Sequence, residues 1–248
     1  MNAIDQQPLL ITGASGGLGL AIAEYLIQAG YRSLALHYNS HSEDLISLVN
    51  RHQMDPKKTV FQADLTSESS VKSLGEQVRS AHGAIWGLVH FAGSTSNGMS
   101  WKLSLEEFNR VIHANLTSTF LTCREFIPGM REANGGRIIT ISSIVAFSGI
   151  AGAAHYSASK AGVVGLTKSL ALELASKKIT VNALALGYFN HGMIHTVPEN
   201  LRAQIRTRIP TDRFGEADEI GGMLKYLLSA DGAFLTGQTL HINGGQYV

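Results

Sequence analysis

The chain of 248 residues has one cysteine, five prolines, almost no excess charge and no run of about 18 apolar residues. Each shortage excludes something. A single thiol, Cys123, cannot close an internal disulfide, and in Phe120-Leu121-Thr122-Cys123 it reads as a small core residue, so a reducing cytoplasm is the expected compartment. The start, Met1-Asn2-Ala3-Ile4-Asp5, lacks a basic region followed by an apolar one, and no export or membrane signal is expected. Twenty Lys and Arg against 19 Asp and Glu, with no basic stripe, argue against a phosphate-neutralising nucleic-acid surface. With no low-complexity run and no block of like charges to mark a linker, one domain spanning 1–248 is expected.

What is present is 44% hydrophobic residues and 26 glycines spread along the chain. Short apolar runs alternate with longer segments of helical period, which predicts βαβ units around a mostly parallel sheet. Seven strands are expected, at 9–12, 33–37, 59–62, 87–90, 137–142, 180–184 and 239–242. Helices are expected at 18–29, 67–81, 105–130, 156–175 and 217–228, and right-handed crossovers would place them on both faces of the sheet. The segment 188–214 breaks the alternation with mixed polarity and two prolines, and reads as a lid over a substrate.

Directly after the first strand stands Thr12-Gly13-Ala14-Ser15-Gly16-Gly17-Leu18-Gly19. Glycines suit a turn where backbone must approach a pyrophosphate, and the following helix offers free N–H groups and the positive end of its dipole. Gly13, Ser15, Gly17, Leu18 and Gly19 are therefore candidate cofactor contacts. A nucleoside-triphosphate loop would need Gly-Lys followed by Ser or Thr, which is absent; a methyltransferase remains open from this turn alone. The second strand ends in His37-Tyr38-Asn39-Ser40 without a carboxylate, so a ribose 2′-phosphate would meet no repulsion and could be hydrogen-bonded by His37, Asn39 and Ser40. NADPH is preferred over NADH on that ground.

Tyr156 and Lys160 lie four apart on a predicted helix, hence on one face. An ammonium beside a phenol favours the phenolate, and the pair reads as a tuned proton donor. Such a spacing also occurs by chance as a solvated helix face. Ser143, at the end of the fifth predicted strand, could bind the same substrate oxygen.

The glycine turn, Asp64 after the third strand, Asn115 in the fourth helix, Ser143, the Tyr156-x-x-x-Lys160 spacing and the closing Asn243-Gly244-Gly245 together resemble the short-chain dehydrogenase/reductase family. The likeness covers the whole chain, and its second half is similar to 3-oxoacyl-[acyl-carrier-protein] reductases and to acetoacetyl-CoA and polyketide ketoreductases. The resemblance implies an α/β, Rossmann-type doubly wound fold and a homotetramer. It also implies roles. Tyr156 would protonate a ketone oxygen as NADPH delivers hydride, and Ser143 would polarise the carbonyl. Lys160 would hold the nicotinamide ribose and lower the Tyr156 pKa, while Asn115 would anchor a water. Asp64 with Leu65 would meet adenine, and Ala92, Gly93, Gly187, Phe189 and His191 would follow the cofactor toward its nicotinamide.

Departures from the family pattern are equally specific. His90-Phe91-Ala92-Gly93 replaces the usual Asn-Asn-Ala-Gly, Leu186-Gly187 replaces Pro-Gly, and His191 stands where a threonine is common. The helically spaced pairs His37/His41 and His191/His195 lack a clear third ligand, so no metal is expected. Ser143 lies in no Gly-x-Ser-x-Gly turn, which disfavours a serine hydrolase. The expected substrate is a β-keto thioester on acyl carrier protein or CoA, with a small free ketone as alternative and a non-catalytic dinucleotide sensor as the reading from another class. Arg131, Lys177 and Lys178 with the lid residues Arg202, Arg206 and Arg208 are candidates for a carrier-docking rim.

Overall fold

In the computed structural model, residues 7–248 are described, and their seven strands form one sheet in the order β3-β2-β1-β4-β5-β6-β7. The strands are β1 (Leu9–Thr12), β2 (Leu34–Tyr38), β3 (Val60–Gln62), β4 (Gly87–His90), β5 (Gly136–Ser143), β6 (Ile179–Leu186) and β7 (Thr239–Ile242). Every pairing is parallel. The central strands are continuously buried, because helices cover both sides of a parallel sheet. On one side Leu9, Ile11, Leu36, Val89 and Leu184 pack beneath the helices α1 (Gly17–Gln28), α2 (Glu43–Arg51) and α10 (Ala217–Leu228). On the other, Leu10, Leu88, Ile138 and Val181 pack beneath α4 (Glu68–His82), α6 (Ser118–Glu132) and α8 (Ala154–Leu174).

Several elements differ from expectation for identifiable reasons. The helix α2 and the single turn α3 (Pro56–Thr59) fill the crossover between β2 and β3, which the expected helices do not include; α2 presents only Leu45, Leu48 and Val49 to the core, too brief a stripe to stand out in sequence. The expected helix 105–130 is divided into α5 (Leu105–Ile112) and α6 by a π-helical turn over His113–Thr117. A π turn adds one residue per turn, which periodicity analysis does not register, and it is common at functional positions; here it carries Asn115. A four-residue helix, α7 (Val145–Ser148), follows Ser143 directly.

The segment 188–214 contains a 3-10 turn over Gly192–Thr196 and the helix α9 (Glu199–Arg206), none of whose residues is buried. Its ends are tied together, with Gly215 N–H donating to Tyr188 O at 3.0 Å and Asn190 N–H to Gly215 O at 2.8 Å. Phe189 is the anchor, buried in the first core cluster. Among the described residues no helix is long and apolar enough to cross a membrane.

The core makes a direct prediction. Leu88 is fully buried between sheet and helix, whereas Leu172 on α8 is 86% exposed. Leu88→Ala is expected to lower unfolding free energy by about 2–5 kcal/mol in urea titrations, while Leu172→Ala changes it by less than about 0.5 kcal/mol.

Candidate active site

Parallel pairing brings the carboxyl ends of the strands to one edge. Thr12 is in register with His90 and His90 with Thr140, while Ser143 pairs with Leu186 and Leu186 with Ile242. The strand order reverses between β1 and β4, which is where an open α/β sheet leaves its crevice. The glycine turn occupies this point. Gly13 has φ +65°, and a Cβ there would stand 2.7 Å from the Ala92 backbone nitrogen. A Cβ on Gly19 would strike the Gly13 carbonyl. The N-terminus of α1 has no side-chain cap and no acidic residue in its first turn. A bare, positively polarised helix end over tightly packed glycines fits a dinucleotide pyrophosphate.

Across the edge, Ser143, Tyr156, Lys160 and Asn115 come together from β5, α8 and the π turn. Ser143 Oγ donates to Leu186 O at 3.3 Å and also shares a hydrogen bond with the Tyr156 hydroxyl. Lys160 is buried, its Nζ donating to Ile141 O at 2.8 Å and standing 5.7 Å from the Tyr156 ring centre. Asn115 is buried and grips the segment after β4 twice, accepting from Ser94 N–H at 2.8 Å and donating to Ser94 O at 2.9 Å. Its amide also donates to Ser159 Oγ at 2.9 Å, one residue before Lys160. Gly93 is the hinge of this contact: a Cβ would lie 2.6 Å from Asn115 Oδ1 and 3.6 Å from Lys160 Nζ.

Burial governs the electrostatics. It pushes the Tyr156 phenol up to about 12, partly offset by the Ser143 hydrogen bond, with Tyr188 adding to the rise. It pushes the Lys160 ammonium down to about 8. Desolvation is the largest influence on the phenol, so its net shift is upward although an ammonium stands beside it. A phenol that stays protonated at neutral pH is a proton donor.

A family model described as enoyl-(acyl carrier protein) reductase matches residues 13–246. The chain is 36% identical over 239 residues to the 3-oxoacyl-[acyl-carrier-protein] reductase FabG of Escherichia coli (strain K12), covering 96% of each. It is 37% identical over 240 residues to the protein of the same name from Staphylococcus aureus (strain Mu50), covering 96% of this chain and 97% of that one. With nodulation protein G of Azospirillum brasilense it shares 38% over 242 residues, 98% of each. The chain belongs to the short-chain dehydrogenase/reductase family. It is an oxidoreductase.

Within this short-chain reductase, the remaining residues singled out by sequence fall into two groups. Ser15, Gly17 and Leu18 lie at the start of α1, and Ala92 and Gly93 face that turn, the Ala92 N–H donating to Thr12 Oγ1 at 3.2 Å. Asn39 and Ser40 are exposed beyond β2, with Tyr38 partly buried beside the core. Asp64 is exposed, one carboxylate oxygen accepting from the Thr66 N–H and hydroxyl at 2.9 and 2.7 Å. Gly187 lies against Asn243, where a Cβ would stand 2.8 Å from its Cα.

Others have side chains that are buried, paired or remote from Ser143. His37 is buried, its Nδ1 accepting from Gly13 N–H at 3.1 Å and its Nε2 donating to Ala63 O at 2.9 Å. With both ring nitrogens engaged it has none free for a 2′-phosphate, and the expected hydrogen bond is corrected: His37 instead props the glycine turn from below. Leu65 and Phe189 place their side chains in the core, leaving only backbone toward a ligand. His191 sits 3.6 Å from Glu216, which also accepts from Asn190 Nδ2 at 3.3 Å. Arg131, Lys177 and Lys178 precede β5 and β6 at their amino ends, so about 25 Å of strand separates them from Ser143 and they do not rim the site. His90 is fully enclosed, its Nε2 3.3 Å from Ser118 Oγ and its Nδ1 without a partner among the described residues. Burial first, then Lys160 and His37, hold it down at about 3, so it is neutral.

Sequence reasoning missed Tyr188, which interacts with Tyr156, and the linked polar residues Ser96, Glu107 and His155. The abundance of hydroxyls in Ser94-Thr95-Ser96 was the only available signal.

Lys160 lies near pH 8 in the folded protein and 10.5 ordinarily, so between those values the unfolded chain binds the extra proton and stability attributable to this group rises with pH. At pH 7 its buried charge costs up to about 3 kcal/mol. Lys160→Met is expected to unfold at higher denaturant than the parent at pH 7, with the advantage shrinking toward pH 10.5; chemical denaturation across that range checks it.

Proposed function

We propose that this chain reduces a ketone to a secondary alcohol with NADPH, the substrate being the β-keto group of an acyl or polyketide thioester on acyl carrier protein or CoA. The observation that carries this reading is the grouping of the Tyr156 hydroxyl with Ser143 and a buried Lys160 across the crevice from the glycine turn, where burial favours the protonated phenol. The names of the relatives, 3-oxoacyl-[acyl-carrier-protein] reductases, point to the same substrate class.

When bound, the reduced nicotinamide supplies hydride. The chain's own part is orientation and proton supply. Ser143 Oγ and the Tyr156 hydroxyl hold the ketone oxygen, and Tyr156 passes its proton to that oxygen as negative charge develops. The Lys160 ammonium stabilises the phenolate left behind, and Asn115 keeps the Ser94 segment and the Lys160 turn in register. Exposed Asn39 and Ser40, with no carboxylate nearby on β2, support NADPH over NADH. The 188–214 segment closes the crevice as a substrate lid, Gly192 resting on Gly17 so closely that a Cβ on Gly17 would stand 2.5 Å from the Gly192 Cα.

The lid favours a carrier-borne substrate through one residue. Arg202 pairs with Glu199 at 3.0 Å and Arg206 with Asp212 at 3.4 Å, whereas Arg208 interacts with Tyr188, the neighbour of Tyr156. Arg208 is thus the lid cation placed for an anionic carrier group. The protein acts in the cytoplasm and assembles as a homotetramer, the assembly being supported by the open space beside Gly165 on α8 and by the exposed Phe234.

Tyr156→Phe is expected to lower kcat for NADPH oxidation with β-ketoacyl thioesters by about 10²–10⁴-fold while leaving NADPH binding in place; an unaffected rate would overturn the mechanism. Because the ammonium near pH 8 carries the supporting charge, kcat/KM for reduction should be level at neutral pH and fall as pH rises above about 8, as a stopped-assay pH series would show. Turnover of a carrier-bound substrate should drop steeply with added salt and in Arg208→Ala, whereas a small thioester mimic should be insensitive to both.

A further inference from the structure

The catalytic proposal leaves unused a chain of polar groups that ends one residue before Tyr156. His155 is fully buried in the first turn of α8, its Nε2 2.7 Å from Ser96 Oγ. Ser96 in turn hydrogen-bonds the Glu107 carboxylate on α5. Arg110 holds that carboxylate with two bonds, Nε to Oε2 at 2.7 Å and a second N–H to Oε1 at 2.8 Å, and reaches back to Ser94 Oγ at 3.2 Å. Ser94 is the residue whose backbone Asn115 grips on both sides. Two residues beyond Ser96, Gly98 N–H donates to Gly152 O at 2.8 Å, just ahead of α8. The segment after β4 has no regular structure up to the 3-10 turn at Ser100, so these bonds are what hold it across the front of α8.

Proton accounting gives the chain a direction. An ionised carboxylate only accepts, so the Ser96 hydroxyl donates to Glu107 and must accept from His155. His155 is therefore protonated on Nε2. Its Nδ1 is buried without a partner among the described residues, so the ring is held from one side alone. A fixed tautomer on a fully enclosed ring, directed through one hydroxyl to an anchored carboxylate, sets distance and angle together.

We infer that His155, held through Ser96 by Glu107, is a positioning residue that locks the first turn of α8, and with it Tyr156, against the segment following β4. It touches no reacting atom. It acts by keeping the Tyr156 hydroxyl at the height where Ser143 and a ketone oxygen meet it, and misplacement of a donor by about 1 Å costs up to about a hundredfold in rate. The inference rests on the reading of Tyr156 as proton donor.

The test uses the full-length protein in two arms. In the cofactor-free protein labelled with ¹⁵N-histidine, NMR should show His155 as the Nε2–H tautomer, and Ser96→Ala should abolish that resonance pattern and lower amide-exchange protection across residues 94–98 and 154–157. In turnover with a β-ketoacyl thioester, Ser96→Ala should lower kcat about tenfold, with KM and NADPH affinity held within about twofold. Ser96→Thr, which keeps the hydroxyl, should restore most of the rate, and Glu107→Gln should give an intermediate loss without altering the fold. Parental kcat in Ser96→Ala, equal impairment of Ser96→Thr, or a His155 proton on Nδ1 in the parent would each overturn the inference. Absence of turnover in the parent, or an active Tyr156→Phe, would instead defeat the proton-donor reading while the NMR and exchange arm still decides the clamp.

Discussion

The site depends on a charge taken out of water. Lys160 has almost no solvent contact, and its ammonium donates a hydrogen bond to the Ile141 carbonyl on the neighbouring strand. That desolvation brings its pKa close to neutrality, and the same burial keeps the adjacent phenol protonated. A lone buried ammonium is tolerated only where the surroundings are otherwise complete, so the packing of α8 on β5 is constrained around it. Ser142 Oγ donating to Lys160 O at 2.9 Å and the buried Thr140–Thr167 hydroxyl pair at 2.7 Å show how the helix is seated.

Around that contact, histidines take structural tasks. His37 supports the glycine turn with one nitrogen and the end of β3 with the other, which explains why it is neutral and enclosed. His90 occupies a comparable place beneath Lys160, kept uncharged by burial and by the ammonium beside it. His155 extends the pattern to the far side of α8. Neutral rings at His37 and His90 are compatible with the nearby Lys160 ammonium because burial disfavours their charged forms.

Much of this was legible in the chain itself. All seven strands appear within a few residues of their expected bounds because buried parallel strands are short continuous apolar runs, which sequence displays plainly. The shared face of Tyr156 and Lys160 was legible because a helix places i and i+4 together whatever surrounds it, and Ser143 because it closes an apolar strand run. The π turn at Asn115, the helix α2 and the inward turn of His37 were not, since each depends on what lies across the sheet rather than on neighbours in sequence. His37 illustrates the limit: the residue type suited a phosphate, and only the proximity of Gly13 and Ala63 took both its nitrogens.

The sequence by itself determined the alternation of strand and helix, the glycine turn at the first strand end, and the shared helix face of Tyr156 and Lys160, because these follow from local periodicity and covalent spacing. The tertiary structure alone decided the protonation states. Whether Tyr156 is an acid or an anion, and whether Lys160 is ordinary or poised near neutrality, is set by how much water remains around them, and that quantity exists only once the sheet, α8 and the segment after β4 have closed on one another.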